Sequence, residues 1–433
     1  MKYVKELEVN NDYEIIVVGG GPAGVAAAVA SAREGAKTLL IESTFTLGGM
    51  GTIGLVPAWC PFSDREKIIY RGIAERILTE TKRGMRLVNQ DAIDGVPIDP
   101  EVLKRVYDNI VMEYGVEVLF QTTLVDVVRV DNKVDSIIVS NKKGLVCYKA
   151  KYFVDCTGDA DLIYFAGGKY EKGDEVSGKL QPTTLCFSFA NVNRQAMLKA
   201  EELHGFNVNS PIHQMVEDPR FKHIPDGHVC HGVIEQGVIG FNAGHVFDVD
   251  STDPKQVSKA IIEGRLIAKD MLDALKIYQP EVYKDAVLIN TASALGVRES
   301  RRIVGEYSLT VDDYADRAVF ADEIGRGSYM IDVHGSKRAR EHKGKYEHYG
   351  KGESYGIPFR CLIPVELENV LVAGRSISTE RMVQGSTRIM PACLVTGEAA
   401  GLAVAMAKDL NDIRNLDVNE LRNKLKEYGA YFK

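Results

Sequence analysis

The chain has 433 residues, of which 45% are apolar and 26% charged, which is ordinary for a globular protein with room for two or three packed domains. The formal net charge of −7, without a long run of lysine or arginine, argues against a nucleic-acid partner. The longest apolar segments fall below the roughly 20 residues of a membrane-spanning helix, so no membrane insertion is predicted. No apolar signal segment follows Met1, and the seven cysteines are scattered without a C-x-x-C pair, which predicts a cytoplasmic protein with reduced thiols.

The stretch from Glu14 to Glu42 has the pattern of a strand, a glycine turn, a helix and a second strand. Residues 15–18 form a β-branched run typical of a strand that is buried on both faces. Gly19, Gly21 and Gly24 then supply the spacing G-x-G-x-x-G. This combination predicts a dinucleotide-binding turn rather than a chance cluster of glycines.

The chemistry of a dinucleotide accounts for the pattern. Glycines at the turn let a pyrophosphate approach the backbone, and Pro22 suits the first turn of a helix whose N-terminus attracts the negative charge. Glu42 follows Gly19 by 23 residues, near the spacing of about 20 at which an acidic residue binds a ribose hydroxyl. An acid at this place favours the unphosphorylated ribose of FAD or NAD over that of NADP.

Further elements follow in chain order. A second glycine-rich stretch, residues 48–54, suits backbone that runs against a flat ligand. Apolar periodicity predicts a helix over 64–83, and Asp99 is the expected N-cap of another helix that ends near Tyr114. Strands are predicted at 116–120, 124–130, 134–140, 145–150 and 152–155, of which the second to fourth alternate like a small antiparallel meander.

The character of the sequence changes near residue 165. Longer strands are predicted at 179–190, 286–297 and 328–333, and a helix at 255–278. After this region the pattern typical of the dinucleotide stretch returns. It predicts a buried strand at 369–375, a loop at 376–390, a helix that begins at Pro391 and a last helix at 421–428.

The order of motifs resembles the FAD-dependent oxidoreductases built like glutathione reductase and, more closely, their fumarate reductase branch. The motifs that carry this resemblance, besides the two glycine-rich stretches, are Cys156–Leu162, Gly296–Tyr307, Ile331–His334, Tyr355–Pro364, Leu371–Arg375 and Ser386–Gly401. The resemblance covers nearly the whole chain and leaves 191–254 without an anchor. It implies an α/β fold: a Rossmann-like FAD-binding domain (parallel sheet plus β-meander) of residues 1–164 and 366–433, with an inserted α+β substrate domain, residues 165–365.

The resemblance also implies which residues hold FAD. At the pyrophosphate and ribose it places Gly19, Gly21, Pro22, Ala23, Gly24, Glu42 and Ser43. Backbone near Val125 would meet the adenine. Along the ribityl chain and the isoalloxazine it places Gly49, Met50, Gly51, Thr52, Thr157, Gly158, Asp159, Gly374, Arg375, Arg388, Ile389 and Met390. No histidine or cysteine lies between Glu42 and Leu55 to attach a flavin covalently, so dissociable FAD is expected.

The nine histidines all lie between positions 204 and 348, inside the predicted substrate domain. His334, in the family-like I-D-V-H, is the best candidate for an acid or base, with a structural histidine as the alternative. Arg298 and Arg360 suit the binding of a carboxylate or hydroxyl, or else structural ion pairs. The spacing of His228, Cys230 and His231 matches no usual zinc site, and no metal is expected.

These observations predict an FAD-dependent oxidoreductase that moves a hydride between FAD and a C–OH or C–N carbon of a small organic substrate. The alternatives are fumarate-reductase-like reduction of an activated C=C bond, and a flavin subunit of an electron-transfer complex whose iron–sulfur cluster would sit on a partner. A flavin-dependent RNA-modifying enzyme is disfavoured by the negative charge. A homo-oligomer and an electron-acceptor protein stay open as partners.

Overall fold

A computed structural model describes residues 4–335 and 349–433. The strands of this part of the chain are β1 Glu8–Asn10, β2 Ile15–Val18, β3 Thr38–Ile41, β4 Glu117–Leu119, β5 Thr123–Val130, β6 Lys133–Asn141, β7 Gly144–Lys149, β8 Tyr152–Asp155, β9 Tyr170–Lys172, β10 Phe187–Ala190, β11 Val229–Glu235, β12 Val238–Ala243, β13 Val287–Thr291, β14 Arg301–Ile303, β15 Glu323–Gly327, β16 Tyr355–Pro358 and β17 Val370–Val372. The α-helices are α1 Pro22–Arg33, α2 Ile73–Arg83, α3 Pro100–Glu113, α4 Asp161–Phe165, α5 Arg194–Met197, α6 Ile212–Glu217, α7 Pro254–Tyr278, α8 Pro280–Tyr283, α9 Val311–Ala315, α10 Arg381–Thr387, α11 Met390–Met406 and α12 Val418–Glu427. Short 3₁₀ turns occupy Gly49–Gly51, Pro219–Phe221, Phe359–Leu362, Gly374–Ser376 and Ile413–Asn415.

A five-stranded parallel sheet lies at the centre, in the order β17-β8-β2-β3-β4. Ile15 of β2 pairs with Thr38 of β3 on one side and with Tyr152 of β8 on the other. Strands β2, β3, β8 and β17 are fully buried, which explains why their sequences are largely continuous apolar runs rather than alternating ones, whereas the edge strand β4 is partly exposed. The predicted α/β fold and the strand–turn–helix–strand reading of the dinucleotide stretch are confirmed.

Helix α11 packs directly against α1. A side chain added at Gly397 would lie 2.1 Å from the carbonyl oxygen of Ala23, and one added at Gly401 would lie 2.0 Å from that of Ala27. The Ser31 hydroxyl donates to the carbonyl oxygen of Gly401 at 3.0 Å. Glycine at both positions therefore lets the two backbones touch, and it brings the end of the chain back to the dinucleotide turn.

The predicted meander is present. Strands β5, β6 and β7 pair in antiparallel fashion, and β1 adds to β7 in parallel as a fourth strand. The tight connection between β5 and β6 passes through Asp131, which has a positive φ of 52°. Aspartate tolerates this left-handed conformation better than most residues.

A second, antiparallel sheet has the order β11-β12-β10-β13 and packs on α7. Phe187, Phe189 and Phe241 form its aromatic centre, with ring centroids 4.9–5.4 Å apart. The buried members of the apolar cluster around them fall within residues 185–295, whereas Tyr314, Tyr355 and other residues of 309–363 belong to the cluster of α1 and α11. The domain division stays a prediction, and we propose a separate unit shorter than 165–365.

Three local predictions are wrong. Helix α2 begins at Ile73 rather than near residue 64, because Asp64 accepts hydrogen bonds from the backbone N–H groups of Glu66 and Lys67 and holds a turn there. Residues 328–333 are irregular, since the backbone N–H of Ser328 donates to the Tyr70 hydroxyl instead of to a neighbouring strand. The predicted loop at 376–390 contains helix α10.

Two other strands are shorter than predicted, with β10 and β13 occupying only part of 179–190 and 286–297. Within the described residues, no single helix has the length and apolar character to cross a membrane. The pair α10 and α11 passes that test only when combined, and it is bent by 90°.

Because α1 and α11 lie in close contact, one methyl group added between them should strongly reduce stability. Gly401→Ala should lower the free energy of unfolding by about 1–3 kcal/mol, because the methyl group would force the two helices apart. Gly227→Ala is the control, since nothing lies closer than 3.8 Å to the added carbon, and it should change stability by less than about 0.5 kcal/mol. Urea unfolding of both variants measures the difference, and equal stabilities would contradict close helix packing.

Candidate functional site

A cavity of about 1120 Å³ opens at the carboxyl ends of the parallel strands. Val18, Ile41, Cys156 and Ala373, which end or directly follow β2, β3, β8 and β17, all line it. Ligands of open parallel sheets bind at this edge, because the loops that follow the strands meet there.

The glycine turn borders one end of the cavity. Gly19 has a positive φ of 98°, and Gly24 lies so close to Gly19 that an added side chain would sit 1.7 Å from its carbonyl oxygen. Gly21 differs, because nothing lies within 4 Å of its missing side chain. Gly21 is also the N-cap of α1, without a side-chain cap or an acidic residue in the first turn. The arrangement fits a pyrophosphate, since both space and helix N–H groups are available to an anion.

Glu42 is 8% exposed and organises the loop beside this turn. Its Oε2 accepts from the backbone N–H of Gly20 at 2.7 Å, and its Oε1 accepts from that of Thr44 at 2.7 Å and from the Ser43 hydroxyl at 3.3 Å. Glu42 is therefore not a surface acid. It lines the cavity, and its role at a ribose stays a prediction.

Most of the other predicted cofactor residues also line the cavity. These are Gly19, Gly21, Pro22, Ala23, Ser43, Gly49, Met50, Thr157, Gly158, Asp159, Gly374, Arg375, Arg388, Ile389 and Met390.

Four predicted cofactor residues do not line the cavity. Gly24 and Gly51 are close-packing positions, with Gly51 against Leu103 and Met390. The Thr52 hydroxyl donates to the carbonyl oxygen of Leu47 at 2.6 Å, which fixes the glycine-rich loop. Near Val125 the lining includes Thr122, Thr123 and Leu124 instead.

Two features shape another part of the cavity, near Arg375 and the start of α11. Arg375 donates from Nε to the carbonyl oxygen of Gly158 at 2.7 Å and from Nη2 to Asp159 at 2.8 Å, which joins the loops after β17 and β8. Helix α11 begins behind its N-cap Ile389 without a side-chain cap or an acid in its first turn. Its N-terminus therefore favours negative charge in the cavity.

Three histidines from distant segments also meet at the wall of the cavity, and we call His228, His245 and His334 the histidine group. The rings of His228 and His245 stack with centroids 4.2 Å apart and an interplanar angle of 15°. The ring of His334 stands edge-on to both, at 5.1 and 4.9 Å. All three line the cavity. The sequence pattern indicated His334 but not His245, since only folding brings His245 to the other two rings.

Two carboxylates hold the group. Asp226 Oδ2 lies 2.5 Å from His245 Nδ1, His245 Nε2 lies 3.0 Å from His334 Nδ1, and His334 Nε2 lies 3.1 Å from Asp332 Oδ1. Asp332 also accepts from Arg388 Nη2 at 2.9 Å.

Burial controls the charge of these side chains. It lowers the pKa of His228 to about 2, with help from the Arg298 charge, and it lowers the pKa of His334 to about 4 although Asp332 opposes the shift. Burial alone would raise the pKa of Asp332, but His334, Arg388 and Arg298 outweigh it and hold that pKa below its usual range.

Arg298 is 7% exposed and lines the cavity beside the histidine group. It donates to the Pro182 carbonyl oxygen and the Thr184 hydroxyl, both at 2.9 Å, and its Nη2 lies 3.2 Å from His228 Nε2. Among residues 4–335 and 349–433, no carboxylate forms an ion pair with it. Burial and the nearby Arg388 charge lower its pKa to about 10.

Arg360 is not brought to this place. Its side chain is 46% exposed, pairs with Asp322 at 2.9 Å and lies outside the cavity lining. The structure thus unites His334 and Arg298 but not the third predicted catalytic residue.

Because His228 is buried in its neutral form, the free energy of unfolding should depend on pH. Below about pH 6.5 the unfolded chain binds a proton at this histidine that the folded chain does not bind, so stability falls as the pH falls. His228→Gln removes this difference in proton binding. Between pH 6.5 and 5 the free energy of unfolding of this variant should therefore fall less steeply than that of the wild type, by up to about 1.4 kcal/mol per pH unit. Urea unfolding at several pH values measures the slopes, and parallel slopes would mean that folded His228 titrates normally.

Comparisons with known proteins identify the family of the chain. The sequence model of the family described as FAD dependent oxidoreductase matches residues 14–425. Thiamine thiazole synthase of Methanococcus aeolicus is 30% identical over 172 residues, 37% of this chain and 61% of that protein. Digeranylgeranylglycerophospholipid reductase of Methanocaldococcus jannaschii is 28% identical over 169 residues, 38% of this chain and 43% of that protein. Fumarate reductase (cytochrome) of Shewanella frigidimarina is 25% identical over 222 residues, 41% of this chain and 37% of that protein.

The matches therefore span less than two thirds of the length of these relatives. Among solved structures, CabE, an aromatic hydroxylase from angucycline biosynthesis, has a TM-score of 0.50 and 14% identity, with 97% of this chain and 69% of that chain covered. This likeness concerns the fold. The family match over nearly the whole chain decides the class: the protein is an enzyme that belongs to the FAD-dependent oxidoreductase family.

Proposed function

We propose that the enzyme transfers a hydride between non-covalently bound FAD and a C–OH or C–N carbon of a small anionic substrate. The observation that carries this proposal is that one cavity joins the dinucleotide turn to the wall formed by Arg298 and the histidine group. FAD supplies the hydride chemistry when bound, and the protein supplies binding, orientation and proton transfer.

Arg298 supports an anionic substrate. A buried cation is costly unless an opposite charge compensates it, and the described residues supply no carboxylate in an ion pair with this one. Arg388, the other cation of the wall, already has Asp332. A substrate carboxylate beside Arg298 would complete the balance of charge.

Unpaired polar atoms support further contacts with a polar substrate. Trp59 Nε1, Asn242 Oδ1 and Arg388 Nε are buried without a hydrogen-bond partner in the described structure, and all three residues line the cavity. Each buried unpaired group costs about 1–3 kcal/mol, which a ligand can recover. Two donors and one acceptor suit a substrate that carries both oxygen and O–H or N–H groups.

His334 is the proposed acid or base. Its depressed pKa keeps the ring neutral at pH 7, which is the state that accepts a proton while a hydride leaves the neighbouring carbon. In this role His334 and Arg298 act on adjacent parts of one substrate.

The second candidate is reduction of an activated C=C bond. Two of the relatives are named as reductases, and a wall with two arginines suits an unsaturated carboxylate. A flavin subunit of an electron-transfer complex is a further alternative. A homo-oligomer, an electron-acceptor protein and a cytoplasmic location are parts of the proposal that need separate experiments.

FAD binding is tested at Gly21. Gly21→Val should leave the apo-protein as stable as wild type, because the side chain enters open space, but it should abolish FAD binding by filling the place of the pyrophosphate. Gly24→Ala is the matched contrast and should disturb folding itself, because its methyl group meets the Gly19 carbonyl. Thermal unfolding and flavin fluorescence titration separate the two effects. Normal FAD affinity in Gly21→Val would refute the assigned pyrophosphate site.

The substrate class is tested by anaerobic mixing of the FAD-loaded enzyme with 2-hydroxy acids, amino acids and the matching uncharged alcohols and amines. Loss of flavin absorbance with the acids is the expected result. Adding unsaturated carboxylates to the reduced enzyme and watching for reoxidation tests the second candidate.

Arg298→Met should raise the KM for the acid by about 10–100-fold, the worth of one charged hydrogen bond. Arg360→Met, which removes an arginine outside the cavity, is the control and should leave the KM unchanged. Equal effects of the two substitutions, or reduction by uncharged compounds alone, would refute an anionic substrate at Arg298.

A further inference from the structure

The side chains of Asp226, His245, His334 and Asp332 form one continuous chain of polar contacts across the wall of the cavity. Its three contacts measure 2.5, 3.0 and 3.1 Å in that order. His245 is nearly buried, whereas His334 is the more exposed of the two rings. The chain begins in the loops beside the second sheet, with Asp226 before β11 and His245 after β12, and it ends at Asp332, which accepts from Arg388.

The number of protons on the two rings determines whether this chain can accept another one. Each neutral imidazole carries one proton, so two rings supply two protons for three contacts. The protons lie best on His245 Nδ1 and His334 Nε2, where each faces a carboxylate. The lone pairs of His245 Nε2 and His334 Nδ1 then face each other at 3.0 Å, and one added proton would convert this contact into a hydrogen bond.

A metal ion could also sit between imidazole nitrogens, but the geometry disfavours one ion held by the whole histidine group. The lone pair of an imidazole lies in the ring plane, and the planes of His228 and His245 are stacked only 15° from parallel. One ion cannot lie in both planes at bonding distance. His228 Nε2 also faces the Arg298 guanidinium at 3.2 Å, where a second cation would be repelled.

We propose that Asp226, His245, His334 and Asp332 are a proton-accepting chain that takes up the proton released when the substrate is oxidised, an inference that rests on the proposed hydride transfer. The substrate C–H bond breaks and its electron pair leaves as hydride to FAD. The electron pair of the O–H or N–H bond becomes the second bond of C=O or C=N, and the proton goes to the pair His334 Nδ1 and His245 Nε2. Hydride loss makes that proton strongly acidic, so a weakly basic chain is sufficient.

The surrounding charges suit this transfer. Adding one proton to the pair creates an imidazolium between Asp226 and Asp332, and each carboxylate stabilises it. The cations that oppose protonation, Arg298 and Arg388, lie beside the chain, and Arg388 is already paired with Asp332. His228 is the third ionisable neighbour, and burial keeps it neutral. In this arrangement His334 is the catalytic residue, while His245 and Asp226 position it and share its proton.

The test uses the FAD-loaded full-length protein with ¹⁵N-labelled histidine rings and no substrate. Nitrogen chemical shifts across pH should show protons on His245 Nδ1 and His334 Nε2, and the two rings should take up one proton together as a coupled pair. Asp226→Asn should move that protonation down by roughly one pH unit or more, because it removes the charge that stabilises the imidazolium. His231→Gln, on strand β11 outside the chain, is the control and should leave both rings unchanged. Independent titration of the two rings in the wild-type protein would overturn the proposal.

A kinetic arm separates proton transfer from a merely structural contact. With a substrate identified by flavin bleaching, Asp226→Asn should slow flavin reduction by about tenfold or more and shift its pH profile, while FAD stays bound. Asp226→Glu should restore part of the rate. An unchanged rate and pH profile in Asp226→Asn would refute the role of the chain. Because the nitrogen spectra need no substrate, their failure would leave the proposed hydride transfer untouched.

Discussion

The contact between helices α1 and α11 is the constraint on which the site depends. Gly397 and Gly401 let α11 lie against the carbonyl oxygens of Ala23 and Ala27, so a helix near the end of the chain packs on the first helix. Both helices then present N-termini without side-chain caps to the same cavity. We propose that one N-terminus binds the pyrophosphate and that the other stabilises the negative charge of a reduced flavin, so that a single helix pair would prepare both ends of the cofactor site.

The wall with the histidine group has a different origin. Its histidines and Arg298 are held by the second sheet and by loops that cross between the two apolar clusters. Burial raises the cost of every uncompensated charge there, which explains why Asp332 pairs with both Arg388 and His334. Arg298 lacks such a partner among the described residues, and this asymmetry is the strongest indication of where a substrate anion binds.

The family match decides the cofactor and the class of enzyme but leaves the substrate open. Relatives of similar identity are named as a thiazole synthase and as two reductases with different substrates. A shared FAD fold therefore does not transfer a reaction, and the substrate depends on the side chains that line the cavity. On the wall of the cavity, the four-membered chain of carboxylates and imidazoles is the feature with the clearest chemical consequence.

The sequence by itself determined the parts of the molecule that depend on local pattern. Continuous apolar runs identified the parallel strands, the glycine spacing identified the dinucleotide turn, and Asp99 marked the start of α3, because each of these structures depends on residues close together in the chain. Local pattern failed at residues 64–72 and 328–333, where side chains from elsewhere or a tight turn satisfy the backbone. Only the tertiary structure decided which histidines and arginines share the wall of the cavity. His228, His245 and His334 come from three segments of the chain. The sequence does not distinguish Arg298 from Arg360, but Arg298 is buried and Arg360 is exposed in the structure. Burial and hydrogen-bond partners are set by long-range packing, which local sequence does not show.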